Sequence, residues 1–251
     1  MKAYELMNDL FERYANVPDS TVDTCKAGDP EKEINKVAVC CIASVDVIEE
    51  AANWGADLLI THEPTYHENF DRFSVNDPVA VKKLELIKNT GMTIWRFHDS
   101  PHLATPDIIH RGFLNSLGLE GEYIKRDFIL KKPIAVSELP KIISDKLRVK
   151  NVKLIGASDY STSKLTLCLG QMDLTPFLSE TENDVVIAGE ITEWKAGEYA
   201  RDAALLGFNK TLIVVGHIAS ERDGMLYASQ LIKENHPSLD VKYFESPEIY
   251  G

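Results

Sequence analysis

The sequence predicts an α/β protein of two similar halves with mainly parallel sheets. Three observations carry that prediction. Short apolar runs such as VAVCCIAS, Val37–Ser44, have the composition of strands buried on both faces. Each run is followed by a segment whose apolar residues recur at helical spacing. This alternation continues along the chain with no long linker and no low-complexity stretch, which is the signature of strand–helix–strand units.

The elements follow in order. In MKAYELMNDLFERYANVP, the residues Tyr4, Met7, Leu10, Phe11 and Tyr14 share one helical face. The segment lacks the layout of a signal peptide. TVDTCKAGDPEKEINK reads as a polar loop. VAVCCIAS is the first buried strand, VDVIEEAANWGA a helix leaving at Gly55, and LLIT the next strand. In DPVAVKKLELIKNTG, Asp77 can cap a helix, Pro78 suits its first position and Gly91 its exit. MTIWRFH, Met92–His98, is a strand, and TPDIIHRGFLNSLGL a helix ending at Gly118. Further on, ELPKIISDKLRVK reads as helix and VKLIGAS as strand. KLTLCLG and DVVIAGE are strands, AGEYARDAALLGF a helix, TLIVVGH a strand, SERDGMLYASQLIKENH a helix and VKYFES a last strand. The halves divide at residues 1–126 and 127–251.

Composition narrows the function classes. The chain has 251 residues, 44% of them hydrophobic and 26% charged, as in ordinary globular proteins. A formal charge of −12 repels phosphate backbones and argues against general nucleic-acid binding. No apolar run approaches the roughly 20 residues of a membrane helix. The four cysteines, Cys25, Cys40, Cys41 and Cys168, form no CxxC pair. Three of them sit in apolar strand-like runs, as reduced buried thiols do, so a cytoplasmic location is expected.

In open α/β sheets, ligands bind beyond the carboxyl ends of the strands. LLITHEPTYH puts His62 and Glu63 there. FHDSPH adds His98, Asp99 and His102, VVGHIASE adds His217 and Glu221, and AGEITE adds Glu190 and Glu193. Four of the seven histidines occupy such ends, a concentration that points to a shared task. Imidazole with carboxylate is the ligand set of Zn, Mn and Fe. His217 and Glu221 share a helical face. His62 and Glu63 converge only if the chain has left the strand, and Pro64 favours a turn at that point. Each residue also has a plainer reading: Glu221 as a first-turn acid, His102 as an exposed loop residue, Glu190 as a solvated strand end.

VVIAGEITEWKAGEYARDAALLGFNKTLIVVGHIASERDGMLYASQLI resembles the Nif-three-like family, the dinuclear-metal proteins also called type 2 GTP cyclohydrolase homologues. The likeness lies in a strand ending in Gly-Glu, and in a strand ending in Gly-His with Glu four residues on. LLITHEP resembles that family's first motif, where an apolar strand ends in two adjacent histidines. WRFHDSPHLATPDIIHRGFLNSLGL resembles its second, where Asp follows His by four. The resemblance spans about Val37 to Phe244. It implies His62, Glu63, His102, His217 and Glu221 as ligands of two divalent metal ions (Zn, Mn or Fe) in the cleft between the halves, with Glu221 bridging. His98 is implied as a sixth ligand or a supporting group. Glu190, Glu193 and His67 are candidates for proton transfer or support. The implied activity is metal-dependent hydrolysis of a small molecule, of cyclohydrolase or amidohydrolase kind, by a homo-hexamer. The chain lacks a GxxxxGK[ST] phosphate loop. The competing class is a non-catalytic metal-binding or protein-interaction and regulatory protein.

Two departures from the family pattern offset each other. Glu63 stands where the family has His, and His102 where it has Asp. The number of imidazoles and carboxylates is therefore conserved. If the exchanges are linked, Glu63→His with His102→Asp retains two ions but changes the preferred one, since carboxylate favours hard ions such as Mn. Either single reversion binds worse than the double. Metal content and Mn-versus-Zn affinity of the wild type, both singles and the double check this; strictly additive effects mean that the two exchanges are independent.

Overall fold

Backbone hydrogen bonding gathers the apolar runs into two sheets. The computed structural model describes residues 1–14, 17–180, 182 and 184–249. In chain order the elements begin with α1 (Ala3–Tyr14), β1 (Cys25–Ala27), β2 (Lys36–Cys40), α2 (Val45–Trp54), β3 (Leu58–Thr61), α3 (Pro78–Thr90) and β4 (Thr93–Arg96). There follow α4 (Asp99–Leu103), α5 (Ile108–Leu117), β5 (Gly121–Ile124), β6 (Asp127–Ala135), α6 (Leu139–Leu147), β7 (Lys153–Gly156) and β8 (Ser161–Cys168). The last elements are α7 (Thr175–Ser179), β9 (Val185–Ala188), α8 (Glu198–Leu205), β10 (Thr211–Val214), α9 (His217–Asn235) and β11 (Asp240–Tyr243). A π-helical turn over Glu193–Gly197 leads into α8. Among the described residues no helix is long and apolar enough to cross a membrane.

The chain forms two compact units. The first is Met1–Ile109 with Gly224–Pro247, and the second is His110–Asp223 with the residues from Glu248 onward. Sequence order alone divides the halves at residue 126. The contacts instead return the last strand to the first unit, because β11 pairs in parallel with β2.

In the first unit the strand order is β1-β4-β3-β2-β11. Every pairing but that of β1 with β4 is parallel. Strands β3 and β4 are buried at all four positions, which explains their unbroken apolar runs. Ala38, Leu59 and Ile94 pack with Val47 and Ile48 of α2 and Ile87 of α3 in one core. The register places Cys40 beside Thr61 and Thr61 beside Arg96. The residues that follow these strands therefore emerge side by side.

Two local expectations are corrected here. The stretch read as a polar loop contains β1, whose Cys25 and Ala27 pair antiparallel with Trp95 and Ile94. None of its three residues is fully buried, so it left no apolar run to read. The strand read as Met92–His98 ends at Arg96, and Asp99–Leu103 coils into α4.

In the second unit the order is β5-β6-β8-β9-β10-β7. The central pairings, β8 with β9 and β9 with β10, are parallel. The β5–β6 hairpin and strand β7 add antiparallel flanks. Cys168, Val186, Ala188 and Leu212 pack with Leu178 of α7 and Ala200 of α8. Cys168 aligns with Ala188 and Ala188 with Val214, so three parallel strands again end level.

The capping expectation for α3 holds. The Asp77 carboxylate accepts from the N–H groups of Val79 and Ala80 at 2.9 and 3.3 Å, and Gly91 closes the helix in the left-handed conformation. Asp77→Ala is expected to cost about 0.5–2 kcal/mol. Urea unfolding checks it through a lower midpoint at unchanged slope.

Candidate metal centre

Beyond β3 the chain leaves the ladder at once. The N–H groups of His62 and Glu63 both donate to the Cys41 carbonyl, at 3.1 and 2.8 Å. The turn that this implies lets two adjacent side chains share a side, and each brings a donor atom within 4.8 Å of the other. His62 is wholly buried. Its Nδ1 lies 3.0 Å from the Phe97 carbonyl. A carbonyl only accepts, so Nδ1 carries the proton and Nε2 presents a lone pair.

His98 follows β4, and His102 lies one turn further along α4. His98 Nδ1 donates to the Asp99 carboxylate at 3.0 Å, and His102 Nδ1 to that of Asp107 at 3.2 Å. Burial, reinforced by the neighbouring His62, pushes the His98 pKa down to about 4, so this ring is neutral near pH 7. The three rings approach with centroids 4.6, 5.1 and 5.2 Å apart. Each offers a ring nitrogen, and these atoms all lie within 4.8 Å of one another. Imidazoles whose Nδ1–H is held by carbonyl or carboxylate are the form that divalent metals take as ligands. The donor chemistry of the first unit fits a borderline divalent ion.

The structure thus groups His98 with His62 and His102 as an equal member, where the resemblance left its rank open. His67 is exposed, adopts a positive φ of 65° and stands outside the donor groups found among the described residues. Asp107 was not foreseen. Its signal was faint: an Asp five residues after a His means little until α4 has turned the two together.

In the second unit His217 opens α9 directly after β10. Its Nδ1 is 2.7 Å from Glu190 Oε1, and its Nε2 is 3.2 Å from Glu221 Oε2. Glu190 follows β9, so the bond joins two neighbouring parallel strand ends. With Nδ1–H given to Glu190, the Nε2 lone pair and the Glu221 oxygen are two acceptors that need a proton or a cation between them. Glu221 is buried, and the backbone leaves room for it. Gly170, after β8, has a φ of 66°, and a Cβ there would collide with the Glu221 carboxylate. The Gly170 N–H donates to Ser220 Oγ at 3.0 Å, and Ser220 Oγ donates to the His217 carbonyl at 2.7 Å.

Beside these residues lies a cavity of about 510 Å³, lined by Glu190, Glu193, His217 and Lys153 among others. This is the size of a small-molecule pocket. Glu193 faces it from the π-helical turn. The two acids read as a pair therefore occupy different positions: Glu190 holds the imidazole and Glu193 lines the cavity.

Comparison with known proteins places the chain among relatives. A family model described as Duf34/NIF3 (NGG1p interacting factor 3) matches residues 22–249. A "GTP cyclohydrolase 1 type 2 homolog" of Clostridium perfringens is 26% identical over 233 residues, covering 88% of this chain and 86% of the relative. A protein of the same description from Pyrococcus horikoshii is 24% identical over 238 residues, with 90% of each covered. Among solved structures, one described as "protein ybgI, unknown function" superposes with a TM-score of 0.79 at 22% identity over 99% of both chains. That likeness shows the fold.

Gly170 provides a direct test of the Glu221 cradle. Gly91 has the same φ of 66°, but a Cβ there would meet nothing within 4 Å, whereas Gly170 faces the Glu221 carboxylate. Gly91→Ala is expected to cost the left-handed penalty alone, about 1–2 kcal/mol. Gly170→Ala is expected to cost more and to weaken divalent-metal binding, which Gly91→Ala leaves unchanged. Thermal unfolding and a metal titration of both variants check this; equal behaviour would remove Gly170 from the site.

Proposed function

The chain belongs to the Duf34/NIF3 family, and on that premise we propose that it is a divalent-metal-dependent hydrolase of a small molecule with a dinuclear site. The observation that carries the proposal is the convergence of His62, His98 and His102, each with Nδ1 engaged by an acceptor. Imidazoles serving only to fill space have no reason to bring three ring nitrogens within 4.8 Å of one another. In this reading the first unit supplies those imidazoles with Glu63, and the second supplies His217 and Glu221. Two bound divalent ions would supply Lewis acidity toward water and toward a substrate oxygen or ring carbon. Zn, Mn and Fe suit the mixed imidazole and carboxylate donors.

The remaining steps belong to the protein. Glu190 orients His217 through Nδ1. Glu193, at the cavity wall, is placed to take a proton from water and return it to the leaving group. Apolar neighbours such as Ile191, Val214 and Ile218 in the same wall give a flat apolar substrate a surface to rest on. An open cavity beside His217 favours catalysis over a closed structural metal site. A homo-hexamer is part of the same proposal, and sedimentation finding only a 28.1 kDa species counts against it.

Elemental analysis of purified protein, then a hydrolase screen over small amides, cyclic amides and phosphoesters with Mn, Zn or Fe added, tests the reading. Glu190→Gln is expected to weaken metal affinity by about 10–100-fold, as losing a group that orients a ligand does. Glu193→Gln is expected to keep the metal and lower turnover by about 10²–10⁴-fold. A metal-free protein whose melting temperature rises with none of these ions defeats the proposal.

A further inference from the structure

Asp23 lies outside every motif of the sequence and is buried. Its Oδ1 accepts from the backbone N–H of His98 at 2.6 Å and of Asp99 at 2.8 Å. Its Oδ2 accepts from the N–H of Ser100 at 2.8 Å and from Ser100 Oγ at 2.6 Å. Three successive amides at the start of α4 thus converge on one carboxylate from a distant part of the chain. An N-cap normally comes from the residue that opens the helix. Here that residue, His98, makes no side-chain cap bond, and Asp23 supplies the acceptors instead.

The contact is returned. Asp99 Oδ2 accepts from Thr21 Oγ1 at 2.8 Å and from the Val22 N–H at 3.2 Å, while Asp99 Oδ1 holds His98 Nδ1. The segment that carries Asp23 is itself anchored. The Arg96 N–H donates to the Thr24 carbonyl at 3.1 Å, and β1 then pairs along β4. The short edge strand therefore delivers Asp23 to the point where the chain leaves β4 and His98 begins.

We propose that the segment Thr21–Ala27 is a built part of the metal centre, with Asp23 the positioning residue that fixes the His98–His102 turn. This rests on the reading of the three imidazoles as a metal site. A helix of five residues is too short to hold itself in water. Without Asp23 its first amides lose their acceptors, the turn loosens, and the ring nitrogens of His98 and His102 no longer meet that of His62. Asp23 bonds to backbone amides and to Ser100, so its effect on the rings passes through the backbone.

The test titrates Co²⁺ into the metal-free full-length chain and follows its visible absorption for the wild type, Asp23→Ala, Asp23→Asn and Asp57→Ala. Asp57 accepts from the N–H groups of Asn35 and Lys36 at the opposite ends of the strands, so its loss costs stability without touching the histidines. Asp23→Ala is expected to weaken Co²⁺ binding by about 10–100-fold. Asp23→Asn, which keeps one carbonyl acceptor, recovers part of it, and Asp57→Ala leaves it unchanged. Imidazole nitrogen resonances of the metal-free proteins are read alongside. The wild type is expected to show His98 as a single Nδ1–H tautomer, and both Asp23 variants a mixture. Wild-type affinity and an unaltered His98 in the Asp23 variants overturn the proposal, as does an equal loss in Asp57→Ala. A wild type that ignores Co²⁺ overturns the metal reading, and the resonances still decide whether Asp23 orders His98.

Discussion

The hydrogen bond from His62 Nδ1 to the Phe97 carbonyl is the constraint on which the imidazole group depends. It fixes the tautomer, and with it the nitrogen that stays unprotonated. It also links two adjacent strand ends, because Thr61 and Arg96 are register partners and the Phe97 N–H donates to the Thr61 carbonyl at 2.8 Å. A slip of one residue between β3 and β4 would turn every side chain to the other face and take the Phe97 carbonyl away from the ring. Strand register is therefore part of the site. The buried faces of β3 and β4 that set the register contribute to the geometry of the imidazole group as well as to stability. Arg96 adds a second hold: buried, it donates through Nε to the His62 carbonyl at 3.0 Å, so His62 is fixed at its ring and at its backbone.

The second unit reaches the same end by a different device. Its three central strands also finish level, but there the backbone makes space. Gly170, Gly189 and Gly216 follow β8, β9 and β10, with the N–H of Gly216 donating to the Gly189 carbonyl at 3.0 Å. A buried carboxylate is costly unless it is paired or hydrogen-bonded. Glu221 Oε2 lies 3.2 Å from His217 Nε2, a pair that a shared proton or cation completes, and backbone without side chains lets the carboxylate come close. The first unit builds its donor group from neighbouring side chains and the second from the absence of one.

Much of this was legible in the letters. The parallel strands were readable because burial on both faces removes polar alternation, as in LLIT and VVIA. Asp77, Pro78 and Gly91 marked α3 because each acts on the backbone locally. The strand-end histidines were readable because position relative to an apolar run is itself a sequence property. What stayed hidden was decided at a distance. Strand β1 exists only through its pairing with β4, and β11 belongs to the first sheet only through β2. Asp23 and Asp107 sit in polar stretches where an aspartate is ordinary by composition. Glu190 was visible as a candidate, but its bond to His217 crosses from one strand end to the next, and no spacing rule contains that.

The histidine partners also explain why this chain carries so many acids near its strand ends. His98, His102 and His217 each give Nδ1–H to a carboxylate, from Asp99, Asp107 and Glu190, while His62 gives its own to a neutral carbonyl. A carboxylate partner makes an imidazole more basic and a stronger donor to a cation. It also places negative charge behind the ring, where it attracts a cation without occupying a coordination position. His62, the most deeply buried of the four, has the neutral partner, and that follows from solvation: a carboxylate fully buried behind it would carry a desolvation cost with no water to share it. Asp99 and Glu190 remain partly solvated. Among the four ring partners, then, each carboxylate keeps some contact with water, Asp107 the least, while the fully buried ring is held by a carbonyl. Part of the chain's net negative charge in this way orients imidazole rings. That is a different use of acids from direct ligation, and it holds an N–H at Nδ1 of each of these rings.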